Sequence, residues 1–146
     1  MSNKLTLNIA AMQEEFFSDA TLIGIASPLP AYYFCWMLNQ HFDMNFTREP
    51  ELDICVQTNK EKQNYFAIYQ YCAPLNGARY LLYKLKCEKQ SLLPEAKNLD
   101  YLWMIQSSAP GSDAQHITDL LRSMPEVQMA QIIGQDKLKS LSNLLI

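Results

Sequence analysis

The sequence predicts a single α+β domain, residues 1–146, with a mixed and largely antiparallel sheet and two main helices on one face. Two patterns predict this fold class: residues 21–56 and 99–133 each have the order strand, helix, strand, and residues 65–87 have the pattern of a long β-hairpin. Two strand-helix-strand units joined by antiparallel strands are typical of ferredoxin-like folds. The length of 146 residues is a usual size for one domain.

The first half of the chain predicts two strands followed by a helix. Alternating apolar and polar residues at 4–9 predict a half-buried strand, and after a short acidic break at 13–15 the apolar run at 21–26 predicts a central strand. Ser27 and the two prolines that follow it end this strand and begin a helix at about 31–42. The first turns of this helix are apolar on every side. One side should therefore meet the sheet, and the other should meet another part of the chain or a second copy.

The second half predicts the hairpin, a second central strand and a second helix. Asn76 and Gly77 supply the positive φ angles of a tight turn between the hairpin strands. The leucines of the C-terminal tail have near-helical spacing, which predicts a docked short helix or a last strand. In chain order, the predicted elements are short strands at 45–48 and 52–56 separated by Pro50, hairpin strands at 65–72 and 80–87, a strand at 99–105, a loop at 107–113 with a helix cap, a helix at 114–124 ended by Pro125, a strand at 127–133 and the tail at 134–146.

The charge balance excludes some classes of partner. The net charge is −3, and among the twelve dispersed Lys and Arg only Lys84, Lys86 and Lys89 form a small basic ridge, so nucleic acid is not expected as a partner. An acidic chain also disfavours anionic membranes, and no apolar run has the length of a signal segment or a membrane span. We expect a cytoplasmic protein. Charged residues make up only 18 % of the chain, which favours a self-associating surface.

The cysteines and glycines predict neither a metal site nor a cofactor. Cys35, Cys55, Cys72 and Cys87 are separated by 20, 17 and 15 positions, without the close pairs that a zinc site needs. Because each lies in an apolar or alternating run, we expect four free, buried thiols in a reducing compartment. The four glycines are not grouped into a phosphate-binding loop, so a nucleotide cofactor is not expected.

The most distinctive stretch runs from residue 92 to residue 101. It holds two carboxylates, Glu95 and Asp100, flanked by Pro94 and Tyr101. Two carboxylates can divide acid and base roles when their environments separate their pKa values. A structural role is the stronger expectation, because Glu95 suits a first helical turn, Lys97 can pair with either carboxylate and Asp100 can anchor a loop.

Two tryptophans complete the set of candidate residues. Trp36 and Trp103 each lie on an element that is expected to face the core, so packing is favoured over a role in a pocket wall. Trp36 lies on the apolar helix and is kept as a candidate contact for a partner.

The stretch resembles a known family signature. Leu93-Pro94-Glu95, three intervening residues and then Leu99-Asp100-Tyr101 resemble the signature of the bacterial IPExxxVDY family, with leucine in place of the isoleucine and the valine. Further resemblance extends through residues 22–39, including Cys35-Trp36 and Leu38-Asn39. The family has no established activity, so the resemblance implies a small cytosolic protein and supplies no catalytic residues.

Three hypotheses of function follow. The first is a non-enzymatic protein-interaction module, a possible homodimer that uses the helix at 31–42 or a sheet face. The second is a small-molecule binding or regulatory domain in which residues 94–101 and nearby tyrosines recognise a ligand. The third is an enzyme with Glu95 and Asp100 as acid and base, which requires their carboxyl groups to converge within about 5–10 Å. No catalytic residue, metal ligand or cofactor is assigned. The candidate binding residues for a ligand or a still unidentified protein partner are Pro94, Glu95, Asp100, Tyr101 and Trp36.

Overall fold

A six-stranded antiparallel sheet forms the centre of the computed structural model, which describes residues 11–59, 62–74, 77–108, 110–144 and 146. The strands are β1 Ala20–Ala26, β2 Thr47–Arg48, β3 Ile54–Asn59, β4 Lys62–Phe66, β5 Ile68–Cys72, β6 Arg79–Lys84, β7 Lys86–Cys87, β8 Gln90–Ser91, β9 Tyr101–Gln106 and β10 Met129–Ile133. The helices are α1, helical over residues 11–18, α2 Ala31–Phe42 and α3 Pro110–Arg122. The sheet order is β10-β1-β9-β6-β5-β2, and β3-β4 and β7-β8 form separate hairpins.

Two interleaved strand-helix-strand units build the middle of the sheet. β9 and β10 both pair antiparallel with β1, so they run parallel to each other and α3 connects them. β1 and β6 likewise both pair antiparallel with β9. The order β10-β1-β9-β6 is therefore the order of a ferredoxin-like sheet, to which β5 and β2 are added at one edge. The predicted α+β class with a largely antiparallel sheet is confirmed.

The second strand of the first strand-helix-strand unit is β6, and not one of the two short strands predicted at 45–48 and 52–56. Neither segment at 45–48 or 52–56 lies beside the central strands, because β2 is a two-residue edge strand and β3 belongs to a separate hairpin. The chain turns between them through a 3-10 turn at Pro50–Leu52, which an Arg48–Asp53 ion pair of 2.5 Å closes. Both residues of β2 are exposed, whereas the four central residues of β6 are buried, which suits β6 to the interior of the sheet.

Helices α2 and α3 cover one face of the sheet, as predicted, and form the first core with it. Trp103 lies at the centre of this core and is fully buried, as expected. The rings of Phe42, Phe46 and Tyr80 meet it edge-on at centroid distances of 5.3, 5.2 and 6.0 Å. The other large members of the first core include Ile23, Ile25, Phe34, Met37, Leu38, Tyr69, Leu82, Tyr101, Ile105, Ile117, Leu121 and Met124.

The opposite face of the sheet carries a second core, which the sequence did not separate from the first. The predicted tail does dock there, with Leu138 and Leu144 buried, through 3-10 turns at Gln135–Lys137 and Leu141–Leu144. α1 also contributes, through Phe17. The other buried members of the second core are Leu22, Phe66, Ile68, Leu81, Tyr83, Leu85, Leu92, Leu93, Leu99, Leu102 and Met104.

Several boundaries of the predicted elements need correction. The expected acidic break at 13–15 lies inside α1, and α3 begins at Pro110, so the supposed cap Asp113 lies in its first turn and accepts a 3.0 Å hydrogen bond from Ser107. The predicted strand at 65–72 is divided at Ala67 between β4 and β5. The hairpin pairing of β5 with β6 is otherwise as predicted. The expected strand at 4–9 lies outside the described residues. Across the described ranges, no helix is long and apolar enough to cross a membrane.

Candidate functional site

Residues 92–101 connect β8 to β9 and are anchored in the second core by their leucines. Leu92, Leu93 and Leu99 are each at most 1 % exposed. Between them, Pro94–Ala96 forms a 3-10 turn, where the fixed φ angle of proline suits the first position. The aliphatic positions of the signature-like sequence therefore hold this segment against the sheet.

Glu95 fastens the C-terminal tail to this segment. Its Oε1 accepts a 2.7 Å hydrogen bond from the backbone N–H of Ser140. Partial burial opposes ionisation of Glu95, but hydrogen bonds from backbone N–H groups, that of Ser140 first, outweigh it and lower the pKa of the carboxyl group. The amide of Asn143 adds a second tie by donating to the carbonyl oxygen of Leu92 at 2.9 Å. Glu95 thus holds the backbone of the C-terminal tail at Ser140.

Asp100 holds the loop between β1 and α2. Its Oδ2 accepts a 2.9 Å hydrogen bond from the backbone N–H of Ser27, and its Oδ1 forms a 3.0 Å ion pair with Lys86. Its backbone N–H donates to Ile25 at 2.8 Å, which continues the sheet. The ion-pair partner is Lys86 of β7, whereas the sequence suggested Lys97.

Tyr101 fixes the same loop from the next position along the chain. Its hydroxyl donates to the carbonyl oxygen of Leu29, and its ring stacks on Phe34 of α2 at a centroid distance of 4.4 Å. Burial raises the pKa of the Tyr101 hydroxyl, so it stays protonated and able to donate. Asp100 and Tyr101 together position the segment that leads into α2.

The contacts of the two carboxylates give no support to the acid–base hypothesis. Glu95 binds the backbone of Ser140 in the tail, and Asp100 binds the backbone of Ser27 together with Lys86. Each carboxylate is therefore engaged with backbone N–H groups of a distant segment. Their arrangement favours the structural reading of this segment.

Two cavities border the segment, and their linings contain more lysines than the tyrosines that the second hypothesis expects. The larger has a volume of about 390 Å³ and includes Lys86, Lys89, Pro94 and Lys97 in its wall. The smaller has a volume of about 170 Å³, shares Lys86, and is also bordered by Lys84, Ser27, Asp100 and Tyr101. Of the described tyrosines, only Tyr101 contributes to these walls.

Trp36 lies elsewhere, on the outer side of α2. The expectation that it packs in the core is wrong, because 55 % of its surface is exposed, together with 73 % of Tyr32 and 45 % of Tyr33. These three residues form what we call the aromatic surface. The Tyr33 and Trp36 rings lie 5.8 Å apart. Helical spacing places Phe34 and Leu38 on the inner side and turns the aromatic surface outward.

The four cysteines are all free, as predicted, but only Cys35 is buried. Burial raises the pKa of the Cys35 thiol to about 11. Cys55 and Cys72 are exposed and Cys87 is half-buried, so the prediction of four buried thiols is wrong. Within the described part of the chain, no three His, Cys, Asp or Glu side chains are grouped so that they could hold a metal ion.

No protein-family model matches the chain, and no curated protein is similar to it. The resemblance to the IPExxxVDY family therefore stays a prediction that rests on the signature residues. Those residues occupy two places in the structure: Pro94 and Glu95 lie beside the tail, and Asp100 and Tyr101 lie beside the loop that leads into α2.

Proposed function

We propose that this protein is a non-enzymatic interaction module that forms a homodimer through the aromatic surface. The observation that carries the proposal is the exposure of Tyr32, Tyr33 and Trp36 on one side of a helix that contains no Asp, Glu, Lys or Arg. Tryptophan and tyrosine are the residues that most often dominate the binding energy of protein interfaces. The proposal also agrees with the low charged fraction of the chain.

The lack of charged residues on α2 favours a second copy of this chain as the partner that covers the aromatic surface. A two-fold symmetric interface uses the same surface patch on both protomers, so a patch of one charge would face a patch of the same charge. The chain carries a net charge of −3, yet the twelve residues of α2 contribute no carboxylate or ammonium group. Two copies can therefore approach through α2 without desolvating like charges.

The exposed area is consistent with the centre of an interface. From the exposed fractions, the three side chains present roughly 300–400 Å² of aromatic surface. A stable interface buries about 800 Å² per partner, so the aromatic surface would supply its apolar centre and polar neighbours its rim. Burial of such a centre supplies most of the binding energy.

We infer a supporting role for the signature-like residues in the same function. Asp100 and Tyr101 hold the loop that leads into α2, and Phe34 of α2 stacks on the Tyr101 ring. These contacts orient the helix that presents the aromatic surface. We further infer that the chain belongs to the bacterial IPExxxVDY family and acts in the cytoplasm, an inference supported by the match of Pro94, Glu95, Asp100 and Tyr101 and by the four free thiols.

Sedimentation equilibrium tests the proposal. The wild-type protein should be a dimer at about 10–100 µM, and Trp36→Ala should shift it to monomer. Tyr65→Ala is a matched control, because Tyr65 is an aromatic residue on β4 with 56 % exposure, close to that of Trp36. A monomeric wild type over this range, or a Trp36→Ala variant that dimerises as well as Tyr65→Ala, would refute the proposal.

A further inference from the structure

A concentration of positive charge lies at the larger cavity beside residues 92–101. Lys86, Lys89 and Lys97 border this cavity, and Lys84 borders the smaller one that shares Lys86. Four of the twelve Lys and Arg of an acidic chain therefore line two neighbouring cavities that share Lys86. We call the larger one the lysine cavity.

Acidic groups offset this charge only in part. Among the described residues that border the two cavities, the acids are Glu88 and Asp100. Asp100 is already paired with Lys86 at 3.0 Å and also accepts the N–H of Ser27. The four lysines outnumber the two carboxylates, so the cavity walls carry a net positive charge.

The surrounding structure holds the Lys86 ammonium group and sets the backbone positions of Lys89 and Lys97. Asp100 holds the Lys86 ammonium group, which has three N–H donors and gives one of them to the carboxylate. Glu88, with φ of +55°, and Lys89 form the turn between β7 and β8, which the Cys87–Gln90 pair closes. On the other side, the 3-10 turn that starts at Pro94 precedes Lys97. The three lysines of the larger cavity thus come from strand β7, the β7–β8 turn and the end of the 3-10 turn.

We propose that the lysine cavity binds a phosphate group carried by a small molecule. A volume of about 390 Å³ lies within the range of small-molecule sites. Lysine ammonium groups bind phosphate as point charges, and several of them suit a group with two negative charges. Gln90 and Ser91 add polar groups to the wall, and Pro94 adds an apolar one. This proposal is independent of the homodimer, because Tyr32, Tyr33 and Trp36 do not border the cavity.

Isothermal titration calorimetry with sodium pyrophosphate at low ionic strength tests the site. We expect one site per chain with a Kd of about 0.1–1 mM, which corresponds to two or three charge-assisted hydrogen bonds. The Lys89→Gln, Lys97→Gln double variant should weaken binding about tenfold or more. It keeps Lys86, so the ion pair with Asp100 is retained, and both replaced side chains are exposed.

The control is the Lys137→Gln, Lys139→Gln double variant, which changes the net charge equally at two exposed lysines outside the cavity. It should bind pyrophosphate as the wild type does. Absence of binding up to about 10 mM pyrophosphate, or equal weakening in the two double variants, would overturn the proposal.

A lipid headgroup carries the same phosphate chemistry, so a second arm uses vesicles of phosphatidylcholine and phosphatidylglycerol. We expect the wild-type protein to stay in the supernatant on centrifugation, because its net charge of −3 opposes an anionic surface. If the wild-type protein sediments with the vesicles and the Lys89→Gln, Lys97→Gln variant does not, the phosphate group belongs to a lipid headgroup. That result would overturn the proposal of a small-molecule ligand.

Discussion

Replacing Asp100 with alanine should lower the free energy of unfolding by about 2–4 kcal/mol. The main contribution is the hydrogen bond from the backbone N–H of Ser27, a residue that is 3 % exposed. A hydrogen bond to a charged group contributes about 1.5–3 kcal/mol, and the variant leaves this N–H without its acceptor. The Lys86 ion pair adds only about 0–1 kcal/mol, because the Lys86 and Asp100 side chains are 43 % and 29 % exposed.

Two variants separate these contributions. Lys86→Gln removes only the ion pair and should lower the free energy of unfolding by about 1 kcal/mol or less. Asp100→Asn keeps an oxygen that can accept from Ser27 but removes the charge, so its cost should lie between those of Lys86→Gln and Asp100→Ala.

Urea unfolding at pH 7, followed by tryptophan fluorescence, to which buried Trp103 contributes, measures all three variants against the wild type. If Lys86→Gln destabilises the protein as much as Asp100→Ala does, Asp100 acts through its charge pair and the reasoning is refuted. A cost below about 1 kcal/mol for Asp100→Ala would refute it equally.

Three further predictions concern other parts of the chain. Glu95→Gln should lower the free energy of unfolding by about 1 kcal/mol or less at pH 7. Because the folded-state pKa of Glu95 is lowered, this difference should vanish in urea titrations as the pH falls from about 5 to 3. A difference that persists at low pH would contradict the contact with Ser140. Gly24→Ala should lower the free energy of unfolding by about 1–3 kcal/mol in calorimetry, since a Cβ there would overlap the Ile133 side chain and lie 2.7 Å from that of Leu99. The loss should shrink only in part in a background of Leu99→Ala, because the overlap with Ile133 remains. Cys35 should react with a thiol reagent at pH 8 only after the two exposed cysteines, because its pKa is about 11, and equal rates would contradict its burial.

Local patterns carried most of the information about individual elements. The bounds of α2 were predicted closely because Pro30 and the apolar run after it mark the start of a helix. β1 and β9 were predicted as central strands because both of their faces are apolar. In contrast, an all-apolar run does not indicate which side of a helix meets the sheet, so the exposure of Trp36 was missed although helical spacing groups it with Tyr32 and Tyr33.

Long-range partners limited what could be predicted of the candidate site. The signature-like residues were identified, but Ser27 lies 73 positions from Asp100 and Ser140 lies 45 positions from Glu95. No local pattern encodes such a pairing, which depends on the order of strands in the sheet. For the same reason β6 could not be recognised as the strand that completes the first unit.

The sheet that separates two cores has a consequence for how substitutions combine. Leu102 and Trp103 are consecutive in β9, yet Leu102 belongs to the second core and Trp103 to the first. Substitutions that share a face, such as Trp103 with Leu82, should couple, whereas those on opposite faces should add nearly independently. Substitutions at neighbouring residues of a central strand should therefore have independent effects on the free energy of unfolding. The side chains of one core can change while the other core keeps its packing.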